Sequence, residues 1–295
     1  MNRWLWGVLS MGIATGISGC IDTGTETTDP SLADGSWTWH LPPNFPTPAV
    51  SADNPMSEAK FQLGRRLFYD TKLSGNQTFA CASCHHQDKA FTDGLTVSIG
   101  STGDVLPRNA PSLMNVAYNS TFTWVNPDLT SLETQMAVPL FAEKIVEMGV
   151  NDNNRAEILA RFADDADYLQ RFKGAFPDEV TPVTFDNIIK AISTFQRGLL
   201  TGNSKLERYQ RGEVSLTAAE QRGRLLFNGE KAECFHCHGS FNFNDQVTYV
   251  GKRFEENLFH NTGLYNVGGT GDFPANNQGL YDFTGRQTDK GLFRA

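Results

Sequence analysis

The 295-residue sequence predicts a mainly α fold made of two similar units joined by long loops. Three observations carry this. Apolar residues recur at helical spacing in several stretches, while no stretch alternates polar and apolar as a half-buried strand does. A short motif, Cys-x-x-Cys-His, occurs at Cys81-Ala82-Ser83-Cys84-His85 and again at Cys234-Phe235-His236-Cys237-His238. A related segment precedes each copy: Gly64-Arg65-Arg66-Leu67-Phe68 before the first, Gly223-Arg224-Leu225-Leu226-Phe227 before the second. The offset is 159 residues at these segments and 153 at the motifs, so the second connection is six residues shorter.

Cys-x-x-Cys-His is the attachment pattern of c-type haem. Its two thiols can add across the haem vinyl groups, and the His that follows is placed under the iron as proximal ligand. Four thiols could instead hold one zinc, or one pair could act as a redox dithiol. Neither explains a His directly after each second Cys. The motifs therefore predict two covalently bound haem c groups, on Cys81, Cys84 and His85 and on Cys234, Cys237 and His238. The fold class is mainly α, with two cytochrome c-like haem domains and long loops.

The chain begins with Arg3 and an apolar run from Trp4 to Ile17. That run is shorter than the ~20 residues needed to span a bilayer and has the size of a signal-peptide core. Ile17-Ser18-Gly19-Cys20 resembles a bacterial lipobox, which implies a signal peptide over residues 1–19 and lipidation of Cys20. Ordinary signal cleavage with a free Cys is the alternative. Residues 20–36, rich in Thr, Gly and Asp, read as the lipidated Cys and a flexible tether. The expected location is the periplasm, as a membrane-anchored lipoprotein held by several acyl chains.

Residues 37–199 form the first unit. Trp37 to Pro48 reads as extended chain over a surface, its two Trp as packing residues. Asn54 and Pro55 suit the cap and first position of a helix whose stripe is Met56, Ala59, Leu63 and Leu67, ending at Phe68 near Asp70. Gly75 and Asn76 make a turn into the first motif. Residues 154–172 and 184–199 read as further helices, the latter with Ile188, Ile192, Phe195 and Leu199 on one apolar face. The boundary falls near Gly198 to Lys205, and 200–295 form the second unit. There Thr217-Ala218-Ala219-Glu220 fits a capping box, and the chain after Gly239 reads as loops with short helices. The net charge of −8 argues against a nucleic-acid partner and is compatible with docking of a basic electron-transfer or substrate protein.

The chain resembles the bacterial dihaem cytochrome c peroxidase and MauG family from about Ser51 onward. The resemblance rests on both haem motifs, Phe91-Thr92-Asp93-Gly94, Pro107-Arg108-Asn109, Leu132-Glu133-Thr134-Gln135 with Pro139, Val146-Glu147-Met148-Gly149 and Phe259-His260-Asn261-Thr262-Gly263-Leu264. Within the family it is most similar to the MbnH-like branch, through Leu41-Pro42-Pro43-Asn44-Phe45-Pro46, Asp53-Asn54-Pro55-Met56-Ser57, Gly100-Ser101-Thr102-Gly103 and Thr123-Trp124-Val125-Asn126-Pro127.

The resemblance implies roles. The His85 haem is the peroxide-reacting site, with Gln135, Pro139 and Glu147 in its distal pocket and Glu147 as acid–base group. Glu143 is a rival, because Glu147 lies farther from Pro139 than in the usual peroxidases. Trp124 matches the aromatic placed between the haems, and Asn109 a ligand of one calcium ion. The His238 haem is the electron-transfer site, whose other axial ligand is expected beyond residue 295 in a C-terminally truncated sequence. His40 is expected to be structural, His86 and His236 exposed or hydrogen-bonded, and His260 to order a loop or a haem propionate. No His lies between Gln87 and Asn109, where many family members carry one that caps the resting iron, so the first haem is expected to be open.

Three functions follow from the resemblance. The first is a peroxidase that takes electrons from a small cytochrome or copper protein. The second is a MauG- or MbnH-like enzyme that oxidises a Trp of a copper-binding periplasmic substrate protein. The third is a dihaem electron carrier without catalysis.

Overall fold

The computed structural model describes residues 36–253 and 259–294. Cys20, the signal peptide and nearly all of the tether expected from the sequence lie outside the described residues. Among the described residues the regular structure is helical, accompanied only by isolated β-bridges.

Helix α1 spans Glu58–Tyr69 and is the axis of the main core. Leu63, Leu67 and Phe68 are fully buried on it, and each side chain of this size contributes roughly 1.5–3 kcal/mol by leaving water. The helix starts three residues later than the sequence suggests. Its cap is Ser57, in extended conformation, whose hydroxyl accepts from the Lys60 N–H at 3.2 Å. Asn54 is committed elsewhere. It is fully buried, donates to Glu133 Oε1 at 2.6 Å and to the Lys190 carbonyl at 3.0 Å, and accepts from Lys60 Nζ at 3.1 Å. Tertiary hydrogen bonds thus override a good local capping residue.

Helix α2 spans Leu132–Phe141 behind a Ser131–Thr134 capping box, and Pro139 lies inside it. A proline there removes one helical hydrogen bond, which hides the helix from a periodicity reading. The end of α2 is secured from outside, since the Met148 and Val150 N–H groups donate to the Pro139 and Leu140 carbonyls at 3.0 and 3.1 Å. The single helix expected over 154–172 is two, α3 (Arg155–Ala163) and α4 (Ala166–Ala175). Asp165 breaks it by capping α4, accepting from the N–H groups of Asp167 and Tyr168. Helix α5 (Phe185–Arg197) begins at the Thr184 cap.

Helix α1 packs chiefly on α5 and then on α4. The α1–α5 crossing is so close that a Cβ at Gly64 would stand 1.9 Å from the Ala191 carbonyl oxygen. Leu140, Ile158, Phe162, Phe172, Ile188 and Ile192 complete this core.

The second unit carries α6 (Lys205–Gln210), α7 (Ala218–Phe227), α8 (Phe235–His238) and α9 (Tyr281–Thr284). The Thr217–Glu220 capping box is formed as read. A smaller cluster of Val125, Phe273 and Phe293, with Trp124 and Tyr265 against it, joins the C-terminal segment to the first unit. Trp37 to Pro48 lies over the surface without regular structure. There Trp37 packs on Trp39 and Phe61, and Phe45 on Tyr118 and Phe241.

Candidate active site

The two Cys-x-x-Cys-His segments adopt one geometry. Each begins a short helical turn in which the His N–H reaches back to the carbonyl of the first Cys, at 3.0 Å both for His85 to Cys81 and for His238 to Cys234. This puts both thiols and the imidazole on one turn of chain. The Nδ1 of His85 lies 2.7 Å from the Phe91 carbonyl oxygen, and the Nδ1 of His238 lies 2.7 Å from that of Phe243. A carbonyl only accepts, so each Nδ1 carries the proton and each Nε2 keeps its lone pair. Such a bond to the far ring nitrogen is the one that orients a metal-ligating histidine.

The match extends to the surroundings. Phe91 and Phe243 both have left-handed backbone, with φ of 59° and 54°, uncommon for a bulky residue. Phe68 of α1 sits 6.3 Å from His85 and 6.0 Å from Phe91 between ring centroids. Phe227 of α7 sits 6.4 Å from His238 and 6.0 Å from Phe243. The sequence repeat is therefore a repeated cradle around the motif His: a helix-end Phe, the His and a carbonyl that orients it.

Burial is the main influence on the first site's titrations. It lowers the pKa of His85, pushes the Cys81 thiol up to about 12 and the Cys84 thiol up to about 11. Neutral, partly buried thiols do not suit a reactive dithiol. Among the described residues the four motif thiols do not converge on a shared metal position. A covalent haem fits these residues, and a shared zinc does not.

His85, Cys81 and Cys84 line a cavity of about 850 Å³. The other residues singled out in the first unit, Gln135, Pro139, Glu147, Glu143, Trp124 and Asn109, line the same cavity. Helix α2 supplies Gln135 and Pro139 one turn apart. The loop after it supplies both glutamates, and they differ. Glu143 is exposed, whereas Glu147 is partly buried and its carboxyl is pushed up to about 7 by burial. After burial, the negative charge of Glu147 also raises the pKa of both motif thiols, which line the same cavity. Trp124 is tied to Asn109, its Nε1 donating to the Asn109 carbonyl at 3.0 Å.

Two arginines of this cavity, Arg294 and Arg108 of the Pro107-Arg108-Asn109 stretch, have no role assigned from the sequence. Arg294 reaches from the C-terminal segment, donates to the Thr121 carbonyl at 2.7 Å and has its pKa lowered to about 10 by burial. Arg108 stacks on Phe293, 5.4 Å from its ring centre.

The surroundings of His238 are more open. Leu225, Leu226 and Phe243 are exposed there, an apolar face that a porphyrin would cover. The remaining histidines stand apart from the cavity lining. His260 pairs with Asp245, two residues past Phe243, so it orders the loop behind the second cradle. His86 pairs through its backbone with Thr92, while His40 and His236 are exposed.

A family profile described as di-haem cytochrome c peroxidase matches residues 58–215. A solved MauG-like protein associated with microbial copper homeostasis is 56% identical, with a TM-score of 0.86 over 88% of this chain and 74% of that one. The methylamine utilization protein MauG of Methylorubrum extorquens is 31% identical over 263 residues, 88% of this chain and 68% of the relative. The cytochrome-c peroxidase IdrP1 of a Pseudomonas species is 35% identical over 213 residues, and the match spans about half of that relative, 54%.

Proposed function

The chain belongs to the di-haem cytochrome c peroxidase family, a family of peroxidase-type oxidoreductases, and on that premise we propose that it reacts with hydrogen peroxide at the His85 site and exchanges electrons through the His238 site. The observation that carries this reading is the placement of Glu147. It is a carboxyl held near neutrality by burial, in the same cavity as a His whose Nδ1 is oriented by the Phe91 carbonyl.

When bound, haem c would supply the iron that activates peroxide and stores its oxidising equivalents. The chain's own residues supply the rest. His85 and His238 hold the irons, each oriented by a backbone carbonyl. Glu147 takes the proton from one peroxide oxygen and returns it to the other, a transfer favoured by a pKa close to the working pH. Gln135 orients the peroxide through its amide, and Pro139 fixes the wall beside it. Trp124, between the cavity and the C-terminal cluster, carries electrons from the second unit toward the cavity. Complete reduction of peroxide to water consumes two electrons and two protons, and a small cytochrome or copper protein supplies the electrons.

A second reading is favoured by one comparison. The solved MauG-like protein associated with copper homeostasis is far more similar to this chain than either peroxidase-named or MauG-named relative above. On that reading the electrons come from a Trp of a copper-binding periplasmic protein, which is oxidised in place of a small donor. Calcium at Asn109, lipidation at Cys20 and a periplasmic location belong to the same proposal.

The test uses the full-length, haem-loaded protein with Glu147→Gln. Reaction with one equivalent of peroxide is expected to slow by about 100-fold or more at unchanged haem content. An unchanged rate would remove Glu147 from the chemistry. Glu143→Gln is expected to react at the wild-type rate.

A further inference from the structure

The loop that carries Glu147 is pinned by a segment whose sequence announces no chemistry. Residues 98–108 fold into a hairpin just after the first haem motif. It is closed by the Ile99–Val105 bridge and by the Leu106 N–H donating to the Ser98 carbonyl at 2.9 Å. Asp104 lies on this hairpin, and its Oδ2 accepts from the Val146 N–H at 2.8 Å, one residue before Glu147. The Ser101 N–H donates to the carbonyl of Glu147 itself at 2.8 Å. On the other side the Gly75 N–H donates to the Met148 carbonyl, also at 2.8 Å.

Packing gives an independent indication. A Cβ at Gly100 would stand 1.8 Å from the Val146 carbonyl oxygen and 3.2 Å from the Glu147 Cα. The hairpin backbone therefore presses directly on the loop, with no side chain between them.

We propose that Asp104 is a positioning residue for peroxide cleavage: its carboxylate, held on the 98–108 hairpin, fixes Val146 and so aims Glu147 into the His85 cavity. The proposal rests on the reading of Glu147 as the acid–base group. It differs from a general stabilising role because, among the described residues, the Asp104 side chain bonds this loop at the Val146 N–H, one residue before Glu147. The titratable groups around Glu147 are His85 and the Cys81 and Cys84 thiols, Glu143 and Lys144 from its own loop, and Arg108 and Arg294 in the same cavity, with Asp104 bonded to the adjacent Val146.

The experiment uses the full-length, haem-loaded protein. Asp104→Ala and Asp104→Asn are made alone and in a Glu147→Gln background. The rate of reaction with hydrogen peroxide is then measured from pH 5 to pH 9, beside thermal melting and haem content. Asp104→Ala is expected to slow the reaction by about 10- to 100-fold, the range set by misplacing a reacting group by about 1 Å. Its pH profile is expected to move to lower pH, because a loosened loop admits water to Glu147. Asp104→Asn keeps an oxygen acceptor for the Val146 N–H and is expected to stay within about threefold of wild type. In the Glu147→Gln background Asp104→Ala is expected to add no further loss.

Wild-type rate and profile in Asp104→Ala, with Glu147→Gln slow, would overturn the positioning role alone. A wild-type rate in Glu147→Gln would overturn the reading of Glu147 and the role of Asp104 with it. If Asp104→Ala does not fold, Asp104→Ser, whose hydroxyl is too short to reach Val146, takes its place with the same two outcomes.

Discussion

Replacing Glu147 with Gln keeps the shape of the side chain and removes its charge, so it isolates the effect of ionising a carboxyl inside the cavity. Burial raises this carboxyl from an ordinary 4.5 to about 7. The difference corresponds to up to about 3 kcal/mol of disfavoured charge in the folded state. The sign follows from linkage: an acid whose folded pKa lies above its unfolded value supports folding fully below the unfolded value. That support is lost as pH rises toward and through about 7. Wild-type stability is therefore expected to fall between about pH 4.5 and pH 7 relative to Glu147→Gln, then to run parallel to it. At pH 8 the Gln variant should have gained up to about 3 kcal/mol on wild type compared with pH 4.5. Urea unfolding of both haem-loaded proteins across this range measures the gain directly. A difference between the two that does not change with pH would refute a buried, neutral Glu147. The peroxide reaction supplies the kinetic counterpart: the wild-type rate should climb as the carboxylate forms near pH 7, and the Gln variant should show no such climb.

The two halves of the sequence repeat predict opposite responses at equivalent glycines. Gly64→Ala is expected to destabilise by roughly 1–3 kcal/mol, because its Cβ would meet the Ala191 carbonyl at 1.9 Å. Gly223→Ala, exposed in α7 with nothing within 4 Å of its Cβ, is expected to stabilise by about 0.5–1 kcal/mol. Thermal melts of the two variants check both signs. Arg197→Met should lower stability by about 1.5–3 kcal/mol in urea melts, since it leaves the half-buried Glu133 carboxylate without the cation that donates to both its oxygens at 2.8 and 2.9 Å. Replacing Cys234 and Cys237 by Ser should halve the covalent haem content measured after acid–acetone extraction, whereas a protein with one shared metal would lose everything together.

Both cradles are half legible in the sequence. The motif Cys and His and the helix-end Phe68 and Phe227 stand out as a repeat of residue types. Their orienting partners do not, because Phe91 and Phe243 act through main-chain carbonyls that any residue possesses. The cavity residues Gln135, Pro139, Glu147 and Trp124 came from family resemblance. Periodicity alone missed α2, which carries two of them, because Pro139 violates the helical pattern and its carbonyl bonds come from residues 148 and 150. The start of α1 was misread for the opposite reason. Asn54 has strong local capping propensity, but Glu133, Lys190 and Lys60, from 6 to 136 residues away, recruit its side chain. Arg294 and Asp104 were illegible because their roles depend on bonds to Thr121 and Val146, 173 and 42 residues distant. Local rules describe caps and stripes, and long-range pairing decides which groups meet in the cavity.

The central claim is that the His85 site binds haem with an open position and reacts with peroxide. The most direct measurement takes the full-length, haem-loaded, oxidised protein, records its absorption and EPR spectra, and follows them after one equivalent of hydrogen peroxide. A high-spin iron whose spectrum changes within seconds, without prior reduction, is the expected result. Two low-spin irons that never respond to peroxide, oxidised or half-reduced, would contradict it and leave a carrier of electrons.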